Sequence, residues 1–173
     1  MGKQLGVDSR LLETNDDYNR GLSKRYVETL QQHLPKGASV TVLGLAYKPM
    51  SHVIEESPGI FLCKALSEAG YRVIGHDNLA APFAKTALKM SALVTDSLDE
   101  ALKDADVVLV TTADHAYTSL TADSLLRDKS KVTVIDFWRR LKHLAADERI
   151  NYVPIGLCRN ETAASAGLKP LWS

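Results

Sequence analysis

The chain has 173 residues, 45% of them hydrophobic and 24% charged, enough for one well-buried domain with an appendage and too few for two ordinary ones. Its 21 Lys and Arg balance 21 Asp and Glu, so no broad field draws it to nucleic acid or to an anionic membrane. No run is long enough to span a bilayer and the opening MGKQLGVDSR has no signal-peptide apolar core; together with two unpaired-looking cysteines, this predicts a reducing, cytoplasmic setting.

The first predicted element is a helix. Asn15-Asp16-Asp17 reads as an N-cap cluster, and Leu22, Tyr26, Leu30 and Leu34 recur every four residues with Val27 alongside, until Pro35-Lys36-Gly37 stops the pattern. Such a stripe packs on this domain, on a further domain or on a second copy. Then Val40–Leu45 reads as a fully buried strand, and Pro58–Ala69 as a helix with Ser57 as N-cap and Pro58 at the first helical position. Cys63 falls on that helix's apolar face and reads as a buried thiol. Strands at Arg72–Gly75 and Ala92–Thr95 flank a helix over Ala80–Lys89. A helix over Leu98–Lys103, the strand Asp106–Thr111, a helix over Ser119–Arg127, and strands at Lys131–Asp136 and Asn151–Ile155 complete the series. The tail from Glu161 to Ser173 is rich in small residues and reads as loosely ordered.

Short apolar strands alternating with helices predict an α/β domain of Rossmann-like topology, a mainly parallel sheet with helices on both faces, preceded by the long helix. Right-handed crossovers bring every strand's C-terminal end to one edge, where such sheets bind ligands. That edge receives Gly44, the Tyr47-Lys48 loop, Ser57, Asp77, the Thr112-Asp114-His115 segment and Trp138-Arg139-Arg140. Lys48 is a point charge suited to a phosphate, or a solvated loop lysine. Tyr47 stacks on a base or ribose, or covers the sheet edge. Asp77 is placed to accept from a ribose hydroxyl, or caps the next helix. Arginines beside two aromatics suit a flat anionic partner, against a surface ion-pair cluster. His52 and Glu55 lack a third metal ligand, and Asp114 with His115 lacks a nucleophile. There is no G-x-G-x-x-G, P-loop or catalytic triad; residue types and spacing alone point to a nucleotide-type domain without a catalytic centre.

Gly44-Leu45-Ala46-Tyr47-Lys48 and Glu56-Ser57-Pro58 fit, without a gap, the G-[FL]-A-[FY]-K-x-x-T-x-D-x-R-E-S-P pattern. On these residues, with Gly75-His76-Asp77, Val110–Tyr117, Val134-Ile135-Asp136 and the helix after Leu11–Asn15, the chain resembles the C-terminal, UDP-binding domain of the UDP-glucose/GDP-mannose dehydrogenase family from about Leu5 to Arg159. Such enzymes oxidise the C6 alcohol of a sugar nucleotide to a carboxylate in two NAD-dependent steps. The resemblance implies a central, dimerising helix within residues 1–36, a UDP-sugar-binding domain over 37–160 and a flexible tail over 161–173. It implies that Tyr47, Lys48, Trp138 and Arg139 touch a UDP-sugar, with a GDP-sugar as second choice, and that Gly44, Ser57 and Asp77 form the nucleotide edge. NAD and the catalytic cysteine would belong to a half upstream of residue 1, so this fragment alone would be inactive. Val53 and Glu55 depart from the pattern's Asp and Arg, Trp138 stands where its late arginine is expected, and Asn78 replaces a proline. Those departures leave a non-catalytic sugar-nucleotide sensor or assembly module as the alternative.

Overall fold

The structure, a computed structural model, describes residues 8–156. Helix α1 runs over Arg10–Leu30. The Asn15–Asp17 cluster is therefore inside the helix and does not start it. Ser9 holds the N-cap position, and Asp8 accepts the Arg10 N–H (3.2 Å) and pairs with its guanidinium (2.7 Å), which braces the first turn further upstream. Val27 and Leu30 of α1, and Leu34 just beyond it, are buried against the domain, joining Val40, Cys63, Leu66 and Val153 in one core cluster. The edge-to-face contact of Tyr26 with Phe137 (centroids 5.7 Å apart) extends this seam. Leu11, Leu12 and Tyr18, nearer the N-terminus, stay exposed.

Strands β1 (Ser39–Leu43), β2 (Arg72–His76), β3 (Leu93–Thr95), β4 (Val107–Val110), β5 (Val132–Asp136) and β6 (Ile150–Pro154) form one sheet in the order β3-β2-β1-β4-β5-β6. Every pairing is parallel. This is the doubly wound arrangement, reversing direction between β1 and β4. Both central strands are buried along their whole length, as their unbroken β-branched and leucine runs require of strands covered on two faces. Helices α2 (Pro58–Glu68), α3 (Ala81–Leu88), α4 (Leu98–Leu102) and α5 (Ala122–Leu126) make the crossovers. A second core cluster, built on Leu43, Val108, Val110, Tyr117, Val134 and Leu141, fills the opposite face.

Between β4 and β5 the helix expected over Ser119–Arg127 shortens to α5, capped by a reciprocal Thr121–Ser124 box, after a single 3-10 turn at His115–Tyr117. Another 3-10 turn, Lys142–Ala146, precedes β6 where no helix was expected. Cys158 and the 161–173 tail lie outside the described residues.

Candidate functional site

The site lies at the switch point, where the chain leaves β1. Gly44 follows the strand at φ 103°, a left-handed conformation natural to glycine, and its N–H donates to the His76 carbonyl at 2.9 Å. A Cβ there would stand 2.2 Å from Thr112 Oγ1, so the second residue after β4 also favours glycine at this point. Thr111 Oγ1 lies 2.6 Å from the Gly44 carbonyl and 3.0 Å from that of Leu43, lacing the ends of β1 and β4 together.

From Tyr47 the chain makes a compact loop closed by Tyr47 N–H donating to the Val53 carbonyl at 2.7 Å. Ser51 Oγ accepts the Val53 N–H (3.1 Å), and the His52 ring packs on Phe83 of α3 (centroids 5.2 Å). Lys48 is carried at the inner lip of this loop. It lines a cleft of about 190 Å³ with Ser51, Asp77, Asn78, Thr112 and Asp114, under an apolar rim of Met50 and Leu79. Tyr47 is exposed beside it. Thus Lys48 and Asp77 share one cleft with the polar end of β4, as expected of the strand-end edge.

Ser57 is fully buried; its hydroxyl faces the Ile60 N–H at 3.5 Å as the N-cap of α2. Asp77 is nearly as enclosed. Its Oδ2 accepts from Leu45 N (2.9 Å) and Ala46 N (3.0 Å), and its Oδ1 from Leu79 N (3.0 Å) and Ala80 N (2.8 Å). The carboxylate closes the turn before α3 but does not cap that helix, whose N-cap position is held by Ala80 without a side-chain bond, so the expected helix cap is not what forms; its other oxygen grips the chain leaving β1.

Trp138 and Arg139 are on the same edge but further along it. Asp136 bends the chain there, accepting Trp138 N–H (3.0 Å) on one oxygen and Leu141 N–H (2.8 Å) and the Tyr152 hydroxyl (3.0 Å) on the other. Trp138 Nε1–H donates to the Thr111 carbonyl at 2.8 Å, which lays the indole over the ends of β4 and β5 with 54% of the residue exposed. Arg139, at φ 55°, sends Nη1 to the Ile155 carbonyl (3.2 Å), above β6. Three strand spacings separate β6 from β1, roughly 14 Å. Arg140 turns the other way, with Nη2 3.4 Å from His115 Nδ1. Lys48 and Arg139 thus bracket the edge rather than meet.

Burial pushes the Cys63 thiol up to about 12, leaving it an inert core residue with no nucleophile to offer. His76 Nδ1 lies 3.1 Å from the Tyr117 hydroxyl beneath the cleft. Burial holds the imidazole below its ordinary 6.5, against the opposing pull of the Asp96 backbone and the Asp77, Asp96 and Asp114 carboxylates. No group of three metal-ligating side chains occurs among the described residues, and no helix among them is long and apolar enough to cross a membrane.

Sequence reasoning missed Gly59. A Cβ on it would stand 2.1 Å from the Gly44 carbonyl oxygen. Glycine in the first turn of a helix, where alanine has the better propensity, is the signal that marks such a close approach.

Residues 41–143 match the profile of the UDP-glucose/GDP-mannose dehydrogenase family, UDP binding domain. A UDP-glucose 6-dehydrogenase of Haloferax volcanii is 36% identical over 108 residues, 62% of this chain and 25% of that protein. A UDP-glucose dehydrogenase structure from Pyrobaculum islandicum superposes with a TM-score of 0.61 at 24% identity, over 88% of this chain and 33% of that one. The ternary complex of GDP-mannose dehydrogenase from Pseudomonas aeruginosa gives 0.64 at 19% identity, over 87% and 35%. At those identities the structural likeness establishes the fold. The chain spans between a quarter and about a third of the length of these proteins.

Proposed function

Because the chain belongs to the UDP-glucose/GDP-mannose dehydrogenase family and carries its UDP-binding domain, we propose that it binds the nucleoside diphosphate of a sugar nucleotide along the C-terminal edge of the sheet. The observation that carries this reading is the position of Lys48, at the lip of the switch-point cleft, in the region that matches the family. Lys48 takes a phosphate as a point charge, Tyr47 and the exposed face of Trp138 pack against the flat or apolar parts of the ligand, and Arg139 closes the far end of the edge. Gly44 and Ser57 act through the backbone, setting the turn after β1 and the start of α2 behind this edge. UDP is the expected nucleotide, with GDP second.

In the whole protein this binding serves the NAD-dependent oxidation of the sugar's C6 alcohol to a carboxylate. NAD itself does not fit the described residues. The chain after β1 lacks the glycine-rich turn, and its first three N–H groups are already engaged, that of Gly44 by the His76 carbonyl and those of Leu45 and Ala46 by Asp77. No step of the oxidation is therefore assigned to them. The same reading makes residues 37–160 the binding unit and gives the exposed Leu11, Leu12 and Tyr18 of α1 to a second copy of the chain. Sedimentation as a strict monomer at all concentrations removes that last part.

Calorimetric titration of the chain with UDP, UDP-glucose and GDP tests the binding. Lys48→Ala should weaken UDP by about 10- to 100-fold, the scale of one charge-assisted contact. Binding no tighter than about millimolar for every nucleotide, or a Lys48→Ala affinity equal to the parent's, rejects the assignment.

A further inference from the structure

We infer that Asp77 is an internal anion seated where a nucleotide fold of this topology otherwise receives a dinucleotide's pyrophosphate, and that it excludes a dinucleotide from this domain. In such folds the pyrophosphate rests on the backbone N–H groups that follow β1 and on the N-terminus of the next helix. Here the donors after β1 are engaged within the chain, and the start of the next helix is capped by Ser57.

Leu45 and Ala46, the first two residues after Gly44, give their N–H groups to Asp77 Oδ2 at 2.9 and 3.0 Å. The other oxygen takes Leu79 and Ala80 at 3.0 and 2.8 Å, so four backbone donors surround one carboxylate that is only 8% exposed. Four N–H groups converging on one point form an anion seat whichever anion fills it. At the helix end, Ser57 caps α2, Pro58 has no N–H, and Gly59 is pressed against the Gly44 carbonyl. A second anion entering at the β1 turn meets a buried negative charge that already holds the four donors around it, a double penalty.

Phosphates are consequently turned outward to Lys48, the cation of the cleft that Asp77 borders. Asp77 is in these terms a positioning and specificity residue: it fixes the Leu45–Ala46 turn in the shape an anion would impose, and it denies the inner seat to an incoming pyrophosphate. The inference holds whatever nucleotide the outer lip takes.

The test is anion rescue, made in a Lys48→Ala background so that binding at the lysine does not contribute. Thermal unfolding of Lys48→Ala and of Lys48→Ala/Asp77→Ala is followed while sodium formate or inorganic pyrophosphate is added, with chloride at equal ionic strength as the control. The double variant should melt about 5–10 °C lower. It should recover saturably with formate and with pyrophosphate, the Leu45 and Ala46 amide resonances moving as it does, and the single variant should not respond. An equal anion response in the two proteins, or an undiminished melting temperature in the double variant, overturns the inference.

If the double variant does not fold, Asp77→Asn decides. It keeps one acceptor oxygen and sets an NH₂ against one pair of donors, so either the Leu45 and Ala46 amides or the Leu79 and Ala80 amides should shift. Wild-type positions for all four overturn the inference as surely.

Discussion

Gly59 approaches Gly44 so closely that a Cβ on the former would stand 2.1 Å from the carbonyl oxygen of the latter. The same carbonyl accepts from the Thr111 hydroxyl at 2.6 Å, so it is held from the β4 side as well. Three elements, β1, α2 and the end of β4, therefore meet at one backbone atom. The third glycine of the dinucleotide fingerprint does this job of letting helix and strand touch. Here the job survives although a long loop, 45–57, and the first residue of α2 separate the two glycines and the fingerprint has vanished from the sequence.

Gly59→Ala sets two effects against each other. Alanine is about 1 kcal/mol better than glycine in a helix interior. Forcing a methyl group into a backbone carbonyl held from both sides costs about 3 kcal/mol, since neither partner is a flexible side-chain end. The clash wins, and the variant should lose about 2 kcal/mol, read as a melting temperature lower by roughly 4–8 °C. An unchanged or raised melting temperature would show that α2 does not lie this close to β1.

His76 supplies a pH dependence. Its folded-state affinity for a proton is depressed below the ordinary 6.5, chiefly by burial and despite the Asp77, Asp96 and Asp114 carboxylates. Unfolding frees the imidazole to take up a proton near that ordinary value, so in acid the unfolded chain binds more protons than the folded one. Stability should thus be unaffected by this group well above pH 7 and should fall as the pH drops through 6.5 toward the folded value. Denaturant unfolding between about pH 8 and 5.5, compared with His76→Gln, isolates the contribution; carboxylates titrate below that window. In the folded protein, the ring protons of His76 should titrate with a midpoint under 6.5, and a midpoint above it rejects the account.

The sheet was legible because its strands announce themselves. VTVL, VVLV and VTVID are apolar runs of strand length, and buried parallel strands leave no other pattern to read. Capping chemistry placed the start of α2 correctly at Ser57-Pro58. The start of α1 was misplaced because Asn15–Asp17 has the composition of a cap without its position, and composition cannot say which of two polar clusters the helix begins at. The family resemblance was carried by Gly44–Lys48 and Glu56–Pro58 together. What the sequence did not disclose is how side chains divide among backbone partners. Nothing local says that both oxygens of Asp77 are taken, or that Arg139 reaches Ile155 over β6 while Lys48 stays over β1. Those are consequences of register and of one left-handed residue, decided only when the strands align.

Trp138 offers the sharpest test of the outer edge. Its N–H is tied to the Thr111 carbonyl, so the ring is oriented before any ligand arrives, and more than half of the residue remains exposed. A tethered, exposed aromatic loses little side-chain freedom on stacking against a base, an interaction of about 1–3 kcal/mol. On the sugar-nucleotide reading, Trp138→Ala should weaken UDP by about tenfold or more. Trp138→Phe keeps a stacking face and drops the tether, at a cost near 1 kcal/mol in stability, and should lose only a few-fold in affinity. Trp172 is the other tryptophan of the chain, so a Trp172→Phe background makes the emission of Trp138 the readout of binding. If that emission does not change on saturation with UDP, and Trp138→Ala binds as the parent does, the ligand does not reach the β4–β5 end of the edge.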